Sequence, residues 1–406
     1  MFAEKTHLRR EDVPMLLAGA AAVLTVVSVA AFEVLMGLAV VALIATRTSW
    51  RSIPILAPLG LFFAATVVSL VAHSNLSQGY PQLKKFYVYL MPFLIVTAFR
   101  QARRLWWIVW GWALAASLSA AWAMNQFYNK FEDAKEAHQD FYTVYVVSRI
   151  SGFMSHWMTF SGHMMFALMV LCAAFFFRRW QRSNLLLMAA AAMVGAGLLL
   201  AETRSMWLGA AVGAAYLIWF RKRWMLLAIP ALAGILVLVN PFELGDRIKS
   251  GIRPHGELDS NAHRAMCRAI GWQMIKAHPV LGVGTEQVGA QLLDYLPPGT
   301  RLPLPVGYYG HLHSIYYQYA AERGVPALIA LLWMLGRMLY DFARALRRGA
   351  GEYRWLLHGA IAVIIAAMVG GYYEYNLNDS EVLAMFLAVM GCGYVVVFQG
   401  DKECKA

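Results

Sequence analysis

Charged residues are scarce in this 406-residue sequence: Asp, Glu, Lys and Arg make up 14% of it, against about 25% in a typical soluble domain. Hydrophobic residues make up 60%, against roughly 45–50% in soluble domains. So few polar residues cannot cover so many apolar ones, which excludes a soluble enzyme and a disordered chain. The composition predicts an all-α protein that crosses a membrane many times.

Cysteine is also scarce, with four residues far apart at Cys172, Cys267, Cys392 and Cys404. Two of them lie in apolar runs and one in the C-terminal tail, a distribution that argues against a disulfide scaffold and against a cysteine metal cluster. The sequence has no P-loop, no GxGxxG motif after a strand, no Cys/His metal spacing and no internal repeat. We therefore expect chemistry that uses no nucleotide, no cofactor and no metal ion.

Twelve apolar runs are separated by charged clusters, and each is a candidate for a membrane-crossing helix, which needs about 20 residues. The runs cover about 13–30, 33–45, 53–72, 86–99, 105–126, 157–177, 185–201, 206–220, 225–240, 325–343, 356–372 and 382–398. The first run leads directly into the second, which predicts a first span rather than a cleavable signal peptide. An even number of spans places both termini on one side of the membrane.

Positive charge predicts which side that is. Twenty of the 35 basic residues fall in alternate short loops and at the two ends of the chain. They are Lys5, Arg9, Arg10, Arg47, Arg51, Arg100, Arg103, Arg104, Arg178, Arg179, Arg182, Arg221, Lys222, Arg223, Arg344, Arg347, Arg348, Arg354, Lys402 and Lys405. Lys and Arg in short loops mark the cytoplasmic side, so both termini are predicted to be cytoplasmic. The net charge of +12 thus mostly reflects topology, and nucleic acid is not an expected partner.

Two longer segments, at about 127–156 and 241–323, are predicted on the opposite side. The second carries eight basic and seven acidic residues, and loops of this length are uncommon unless they are functional. Within it, residues 261–279 have apolar side chains at helical spacing and are predicted to form a helix. The predicted organisation is spans one to nine in 1–240, a partly helical outer loop with catalytic residues in 241–323, and spans ten to twelve with a cytoplasmic tail in 324–406.

Three residues near the outer surface are candidates for catalysis. His313 can accept a proton at neutral pH and activate a hydroxyl, although a lone His is more often a packed or capping residue. Arg204 lies in a short turn between two spans, where a charge is functional or paired, and Glu202 is its nearest potential partner. Arg264 lies on the predicted helix and is either a solvated charge or part of a phosphate site. Two arginines that converge on one cleft would suit a diphosphate.

Further candidates for substrate binding lie at the outer ends of other spans and in the long loop. They are Lys84 and Lys85 at the start of span four, Arg149 and His156 before span six, Arg268 in the long loop, and Asp379 between the last two spans. The basic residues at span ends are either ligands or anchors that reach the membrane surface. Asp379 shares its turn with Glu374 and Glu381, and is either a polar turn residue or an orienting partner for a His or an Arg.

Several of these residues lie in motifs that resemble those of O-antigen ligases. In HSIYYQYAAERGVP, His313 is followed by Ser, nine residues and Gly324, which resembles the family's signature of His, then Asn, Ser or Gln, nine residues and Gly. TRSMWLG around Arg204, and Arg264 placed eighteen residues before Gly282 in AHPVLGVG, are similar to the same family and its polymerase relatives. So are RISGFMSHW at 149–157 and NLNDSEV at 376–382. The resemblance covers the chain from about span six onward.

The resemblance implies a GT-C-like membrane enzyme of the bacterial inner membrane with a periplasmic active site. Its implied activity is inverting, metal-independent transfer of O-antigen from undecaprenyl diphosphate to lipid A–core oligosaccharide, a step of lipopolysaccharide biosynthesis. By similarity, His313 would be the general base, and Arg204 and Arg264 would bind the diphosphate and stabilise the leaving group. Asp379 would match the family's acidic residue near the end of the chain.

Two other classes stay open on the sequence. A related polymerase or protein O-glycosyltransferase would use the same scaffold, and only the acceptor would distinguish it from a ligase. A lipid-linked sugar transporter should carry charges at mid-membrane depth in broken helices. The candidate residues lie instead at outer helix ends and in one loop, which favours an enzyme.

Overall fold

The computed structural model describes residues 10–74, 76–255, 259–304 and 310–403, and these contain α-helices and short 3-10 turns with no β-strand. The α-helices are α1 (Val13–Leu24), α2 (Val29–Ala45), α3 (Leu56–Ala72), α4 (Leu76–Lys84), α5 (Met91–Ala98), α6 (Trp106–Glu136), α7 (Phe141–Val147), α8 (Trp157–Phe177), α9 (Ser183–Leu200), α10 (Arg204–Arg221), α11 (Ala228–Val239), α12 (Leu244–Lys249), α13 (Asn261–Ala277), α14 (Val288–Gln291), α15 (Ile315–Arg323), α16 (Val325–Arg347), α17 (Arg354–Gly371) and α18 (Ser380–Glu403). Lys5, Arg9, Cys404 and Lys405, which belong to the two ends of the chain, lie outside the described residues.

Each of the twelve predicted spans overlaps one of these helices. Among the described residues, six helices are long and apolar enough to cross a membrane: α6, α8, α9, α16, α17 and α18. Three are apolar but shorter: α2, α3, and α11 together with the 3-10 turn before it (Arg223–Val239). The protein is therefore an all-helical membrane protein with six candidate spans, and the count of about twelve stays a prediction. One boundary differs clearly, because α6 continues ten residues past the predicted end of its span. That extension contains two Lys and two Glu, which are good helix formers, and it still buries Phe127 and Ala134 at helical spacing.

The close packing of α10 against α17 positions one side of the candidate site. A β-carbon at Gly209 would lie 2.7 Å from the carbonyl oxygen of Ala366, and one at Gly213 would lie 3.0 Å from that of Ala362. Two glycines four residues apart thus allow the backbones to approach, as small residues do in membrane helix pairs. The start of α10 therefore lies beside the end of α17, where the chain continues into the acidic turn.

The long loop contains helices with a small core of their own. The segment predicted to be helical forms α13, and its Ile270 and Met274 are buried in this core. Leu312, which precedes α15, and Ala321, which lies within α15, pack in the same core. The loop is therefore a packed unit that holds α15 and the residues just before it in place.

Two glycines of the motifs face each other at the join between this unit and α16. Gly282 has a φ of +69°, and a β-carbon there would lie 2.3 Å from the backbone of Glu322. Gly324 has a φ of +81°, and a β-carbon there would lie 1.9 Å from the carbonyl oxygen of Val280. Both positions need glycine because the backbone is left-handed and another backbone lies too close for a side chain.

Substituting Gly324 with alanine is expected to destabilise the fold by about 2 kcal/mol or more, because the new methyl group adds backbone strain and a clash with Val280. The apparent melting temperature of the detergent-purified protein measures this loss. Gly336→Ala is the matched control, since Gly336 lies inside α16 with no atom within 4 Å of the new methyl group. Equal melting temperatures for the two variants would contradict the expected clash.

Candidate active site

Glu374 connects the candidate base with one of the candidate arginines. Its Oε2 lies 3.3 Å from Nδ1 of His313, and its Oε1 accepts a hydrogen bond from Nη2 of Arg264. The Glu374 side chain is 1% exposed, whereas that of His313 is 17% exposed. Arg264 also donates from Nε to the carbonyl oxygen of Tyr373 at 3.0 Å and from Nη1 to Oγ of Ser260 at 2.7 Å. A buried carboxylate thus fixes both side chains.

The imidazole of His313 is neutral at physiological pH. Burial lowers its pKa to about 2, with smaller contributions from His311, His263, Arg264 and His156. Because a carboxylate only accepts hydrogen bonds, the contact with Glu374 places the ring hydrogen on Nδ1. Nε2 then keeps a free lone pair, which is the form that a general base requires.

The backbone at His313 adopts an unusual conformation, with a φ of +47°. Its N–H donates to Nδ1 of His311 at 3.2 Å, and Leu312 N–H donates to Oε1 of Gln318 in α15 at 2.7 Å. Left-handed backbone is uncommon for residues other than glycine and persists where the surroundings enforce it, often at functional sites. The start of α15 therefore fixes the direction of the imidazole.

A cavity of about 340 Å³ lies next to this group and is lined by three arginines. The lining residues are Arg204, Ser205, Leu208, Gly251, Asn261, Arg264, Arg268 and Tyr373. Nη1 of Arg204 donates to Oγ of Ser250 at 2.9 Å, and its Nη2 donates to Oδ1 of Asn261 at 2.6 Å. The cavity volume falls within the range of small-ligand sites. Each guanidinium group can donate two parallel hydrogen bonds to a phosphate group.

The cavity concentrates positive charge. Burial and the neighbouring charges of Arg204, Arg149 and Arg247 lower the pKa of Arg264 to about 9, so that its guanidinium is still protonated at neutral pH. The like charges of these neighbouring arginines disfavour further positive charge and favour the binding of an anion. The arrangement suits a small polyanion such as a diphosphate.

Arg149 lies near the arginine cavity and is held by backbone groups. Its Nε donates to the carbonyl oxygen of Val146 at 3.1 Å, and its Nη1 lies 3.4 Å from that of Glu202. Its guanidinium also lies 5.3 Å from the centre of the Trp157 ring. These contacts fix a further positive charge beside the turn that precedes α10.

Glu202 is paired with Arg247 and not with Arg204. Nε of Arg247 lies 4.0 Å from Oε2 of Glu202, and its Nη1 lies 2.6 Å from Oδ1 of Asp259. Arg247 is 2% exposed and joins the long loop to the turn between α9 and α10. The prediction of Glu202 as the partner of Arg204 is therefore wrong, and the partners of Arg204 come from the long loop.

The other predicted substrate-binding residues lie apart from the arginine cavity. Nζ of Lys85 donates to Oδ1 of Asn378 at 3.1 Å, and Lys84 is exposed at the end of α4. Asp379 accepts a hydrogen bond from Oγ1 of Thr159 at 2.8 Å, and Nδ1 of His156 accepts one from the N–H of Met158 at the start of α8.

His156 and Asp379 both shift the pKa of His311, and His156 also shifts that of His313. These two residues therefore lie near the histidines of the candidate site. Arg268 alone of the six substrate-binding candidates lines the arginine cavity, with its guanidinium 5.8 Å from the centre of the Tyr372 ring.

Among the described residues, no group of three or more His, Cys, Asp or Glu side chains has the geometry to hold a metal ion. The cluster of His263, His311 and His313 is held together by ring contacts, with ring centres 4.8 Å and 4.2 Å from that of His313. Metal independence stays a prediction, and adding EDTA to a transfer assay tests it.

Residues 189–332 match a family model described as O-antigen ligase. This region is similar to the O-antigen ligase family. It covers about a third of the chain and contains Arg204, Arg264, Arg268 and His313, whereas Glu374 lies beyond its end. The match supports a membrane glycosyltransferase of the O-antigen ligase and polymerase superfamily, which uses lipid-linked polysaccharide. A search of curated proteins finds no match to the chain.

Lowering the pH from 7 to 5 is expected to destabilise this protein through His313. Its folded-state pKa of about 2 lies below the ordinary value of 6.5, so the unfolded state binds the proton more readily. Stability is therefore lost as the pH falls below about 6.5, and linkage gives a loss of about 2 kcal/mol at pH 5.

The measurement is the apparent melting temperature at pH 7 and pH 5. The difference between these two melting temperatures should be smaller in His313→Gln than in the wild type. His138→Gln, which changes an exposed histidine, should keep the wild-type difference. A His313→Gln variant with the full wild-type pH dependence would contradict a buried neutral imidazole.

Proposed function

We propose that this protein is an O-antigen ligase, which transfers O-antigen polysaccharide from undecaprenyl diphosphate to lipid A–core oligosaccharide. The observation that carries the proposal is the buried carboxylate of Glu374, which contacts both His313 and Arg264. It places a proton acceptor beside a cavity lined by arginines, as direct transfer from a diphosphate donor requires. A transporter needs an anion site but no base fixed next to it.

The proposed reaction is a single displacement. Nε2 of His313 takes the proton of the acceptor hydroxyl, and the hydroxyl oxygen forms a bond to the anomeric carbon of the donor sugar. The bond from that carbon to the diphosphate oxygen breaks, and undecaprenyl diphosphate leaves with the electron pair. Attack opposite the leaving group inverts the anomeric centre. Arg264, Arg204 and Arg268 stabilise the charge that develops on the diphosphate.

Donor binding makes His313 a stronger base. Its pKa is about 2, so the imidazole is neutral but weakly basic. A bound diphosphate brings negative charge next to the arginines and favours the protonated imidazole, which raises the pKa. The acceptor hydroxyl is then deprotonated when the donor is in place and less readily before.

In the proposed topology the protein lies in the bacterial inner membrane, both termini are cytoplasmic and the site faces the periplasm. The basic residues in alternate short loops support this orientation. The site then lies on the side where the lipid-linked glycan and the lipid A–core acceptor meet. Labelling of single cysteines introduced at exposed Arg179 and exposed Gln139 by a membrane-impermeant reagent tests it, since only the second should react from the periplasm.

Replacing Arg204 with alanine is expected to raise the donor KM about ten- to a hundredfold, because charge-assisted hydrogen bonds to the diphosphate are lost. Steady-state kinetics with varied donor at saturating acceptor measure it. Arg253→Ala removes an exposed positive charge from the long loop, which supplies the partners of Arg204, and should leave the donor KM unchanged. A wild-type donor KM in Arg204→Ala would show that Arg204 only holds Ser250 and Asn261 in place.

Product analysis separates ligase from polymerase. Purified protein is mixed with diphospholipid-linked glycan and either lipid A–core or additional donor. A ligase yields lipid A–core carrying one glycan, in amounts that depend on lipid A–core. Longer lipid-linked glycan without any lipid A product would show a polymerase and overturn the proposal.

A further inference from the structure

A second and larger cavity lies at the opposite end of the same helix pair. Its volume is about 640 Å³, and it is formed by the end of α10, the end of α16 and the start of α17. It is lined by Tyr216, Phe220, Leu339, Ala343, Leu346, Arg347, Gly349, Ala350, Gly351, Arg354, His358 and Ile361. Along α10, Phe220 lies sixteen residues from Arg204, or about 24 Å at the rise of an α-helix. The two cavities are therefore separate sites.

The walls of this second cavity are apolar. The exceptions deep inside, Tyr216 and His358, satisfy each other, because the Tyr216 hydroxyl lies 3.0 Å from Nδ1 of His358. The His358 ring also stacks on Phe177, with ring centres 4.0 Å apart. The interior thus presents rings and aliphatic side chains, which suit a hydrocarbon chain better than a polar ligand.

Positive charge lies at the mouth of the cavity. Arg347 at the end of α16 and Arg354 at the start of α17 are both exposed and line it, and no acidic residue is among the lining residues. Within the described chain neither guanidinium makes a hydrogen bond or an ion pair, and that of Arg354 lies 5.8 Å from the centre of the Phe177 ring. By contrast, Arg337 in α16 is neutralised by Asp341 at 2.9 Å. Both arginines can bind an anion.

We propose that this cavity binds an anionic glycerophospholipid, with its phosphate between Arg347 and Arg354 and an acyl chain in the cleft between α10, α16 and α17. Basic pockets between membrane helices on the cytoplasmic side are suited to anionic headgroups, and this end of α16 and α17 carries the cytoplasmic charge pattern. The charge at the mouth favours a headgroup there over the far end of the donor's polyprenyl chain. The site is independent of the proposed transfer reaction.

Native mass spectrometry of the detergent-purified full chain tests the proposal. The probes are phosphatidylglycerol and phosphatidylcholine with identical acyl chains. The wild type should retain phosphatidylglycerol more strongly. The double substitution Arg347→Gln and Arg354→Gln should weaken its binding about thirty-fold, since each cationic side chain near an anionic lipid contributes about fivefold.

Two controls separate the site from general surface charge and from a headgroup alone. The double substitution Arg179→Gln and Arg182→Gln removes the same charge from the same predicted side and should leave binding unchanged. Ala343→Phe keeps both arginines but fills the cleft and should weaken phosphatidylglycerol binding. Size-exclusion profiles confirm that each variant is folded.

Three results would show that no anionic-lipid site of this kind exists. They are equal retention of the two lipids, equal loss in the Arg179 and Arg182 control, and displacement of the lipid by glycerol 3-phosphate at matched concentration. Retention of a polyprenyl phosphate in preference to phosphatidylglycerol would assign the cleft to the donor tail instead, and would also overturn the proposal.

Discussion

Alanine in place of His313 is expected to lower the transfer rate about a thousandfold, because the substitution removes the group that accepts the acceptor proton. The expectation rests on the free lone pair of Nε2, which follows from the Nδ1 contact with Glu374. The measurement is the single-turnover rate with saturating donor and acceptor. Donor affinity should change little, since His313 does not line the arginine cavity.

The Glu374→Gln variant distinguishes the effect of the imidazole itself from the effect of its orientation. This variant keeps the imidazole but loses the carboxylate that holds it, so its rate should fall less than that of His313→Ala. His138→Ala removes an exposed histidine and is the matched control for purification and folding. Transfer by His313→Ala at more than a tenth of the wild-type rate would exclude His313 as the base.

Alanine in place of Arg264 is expected to lower kcat about a hundred- to a thousandfold, the loss that typically follows removal of one donor that stabilises transition-state charge. Arg264 has a second role, because its contact with Glu374 fixes the carboxylate that orients His313. Arg264→Lys keeps a charge but loses the planar fork, so it should recover only part of the rate.

Lys276→Ala is the control for Arg264→Ala, since it removes an exposed charge from the same helix, α13. Rates should be measured with donor well above its KM, so that a loss in kcat is distinguished from weaker binding. A pure increase in donor KM with wild-type kcat would show that Arg264 binds the ground state and the transition state equally.

The helical pattern was predictable because apolar runs between charged clusters are a local property of the sequence. All twelve runs overlap helices, and the helical segment of the long loop forms α13 as its apolar spacing predicts. The C-terminal end of α6 was not predictable in the same way, because its last ten residues are too polar to belong to an apolar run.

The partners of the site residues were not predictable, because they depend on how distant segments meet. The acidic turn was expected to supply an orienting carboxylate from Asp379, yet the structure places Glu374 against His313 and Asp379 against Thr159. Glu374 is 61 positions from His313, and only the packing of α15 against the end of α17 decides which carboxylate of the turn reaches it. A role for Asp379 in substrate binding stays a prediction.

The burial of Arg247 was not predictable from the sequence, for a related reason. Its sequence neighbours, Asp246 and Lys249, indicate an ordinary exposed helix, and nothing local marks it as buried. It is buried because the long loop folds back on the turn before α10, where Asp259 neutralises it and the carbonyl oxygen of Glu202 accepts a hydrogen bond from it. Arg204 consequently lacks the carboxylate partner expected from Glu202 and remains available for an anion.

The anomeric configuration of the product tests the proposed single displacement most directly. Purified protein is mixed with donor of known configuration and lipid A–core, and the new linkage is assigned by NMR. Base-assisted attack opposite the diphosphate predicts that the configuration is inverted. A product that retains the donor's configuration would require a covalent intermediate or a different geometry of attack. It would contradict the single displacement in which His313 activates the acceptor hydroxyl.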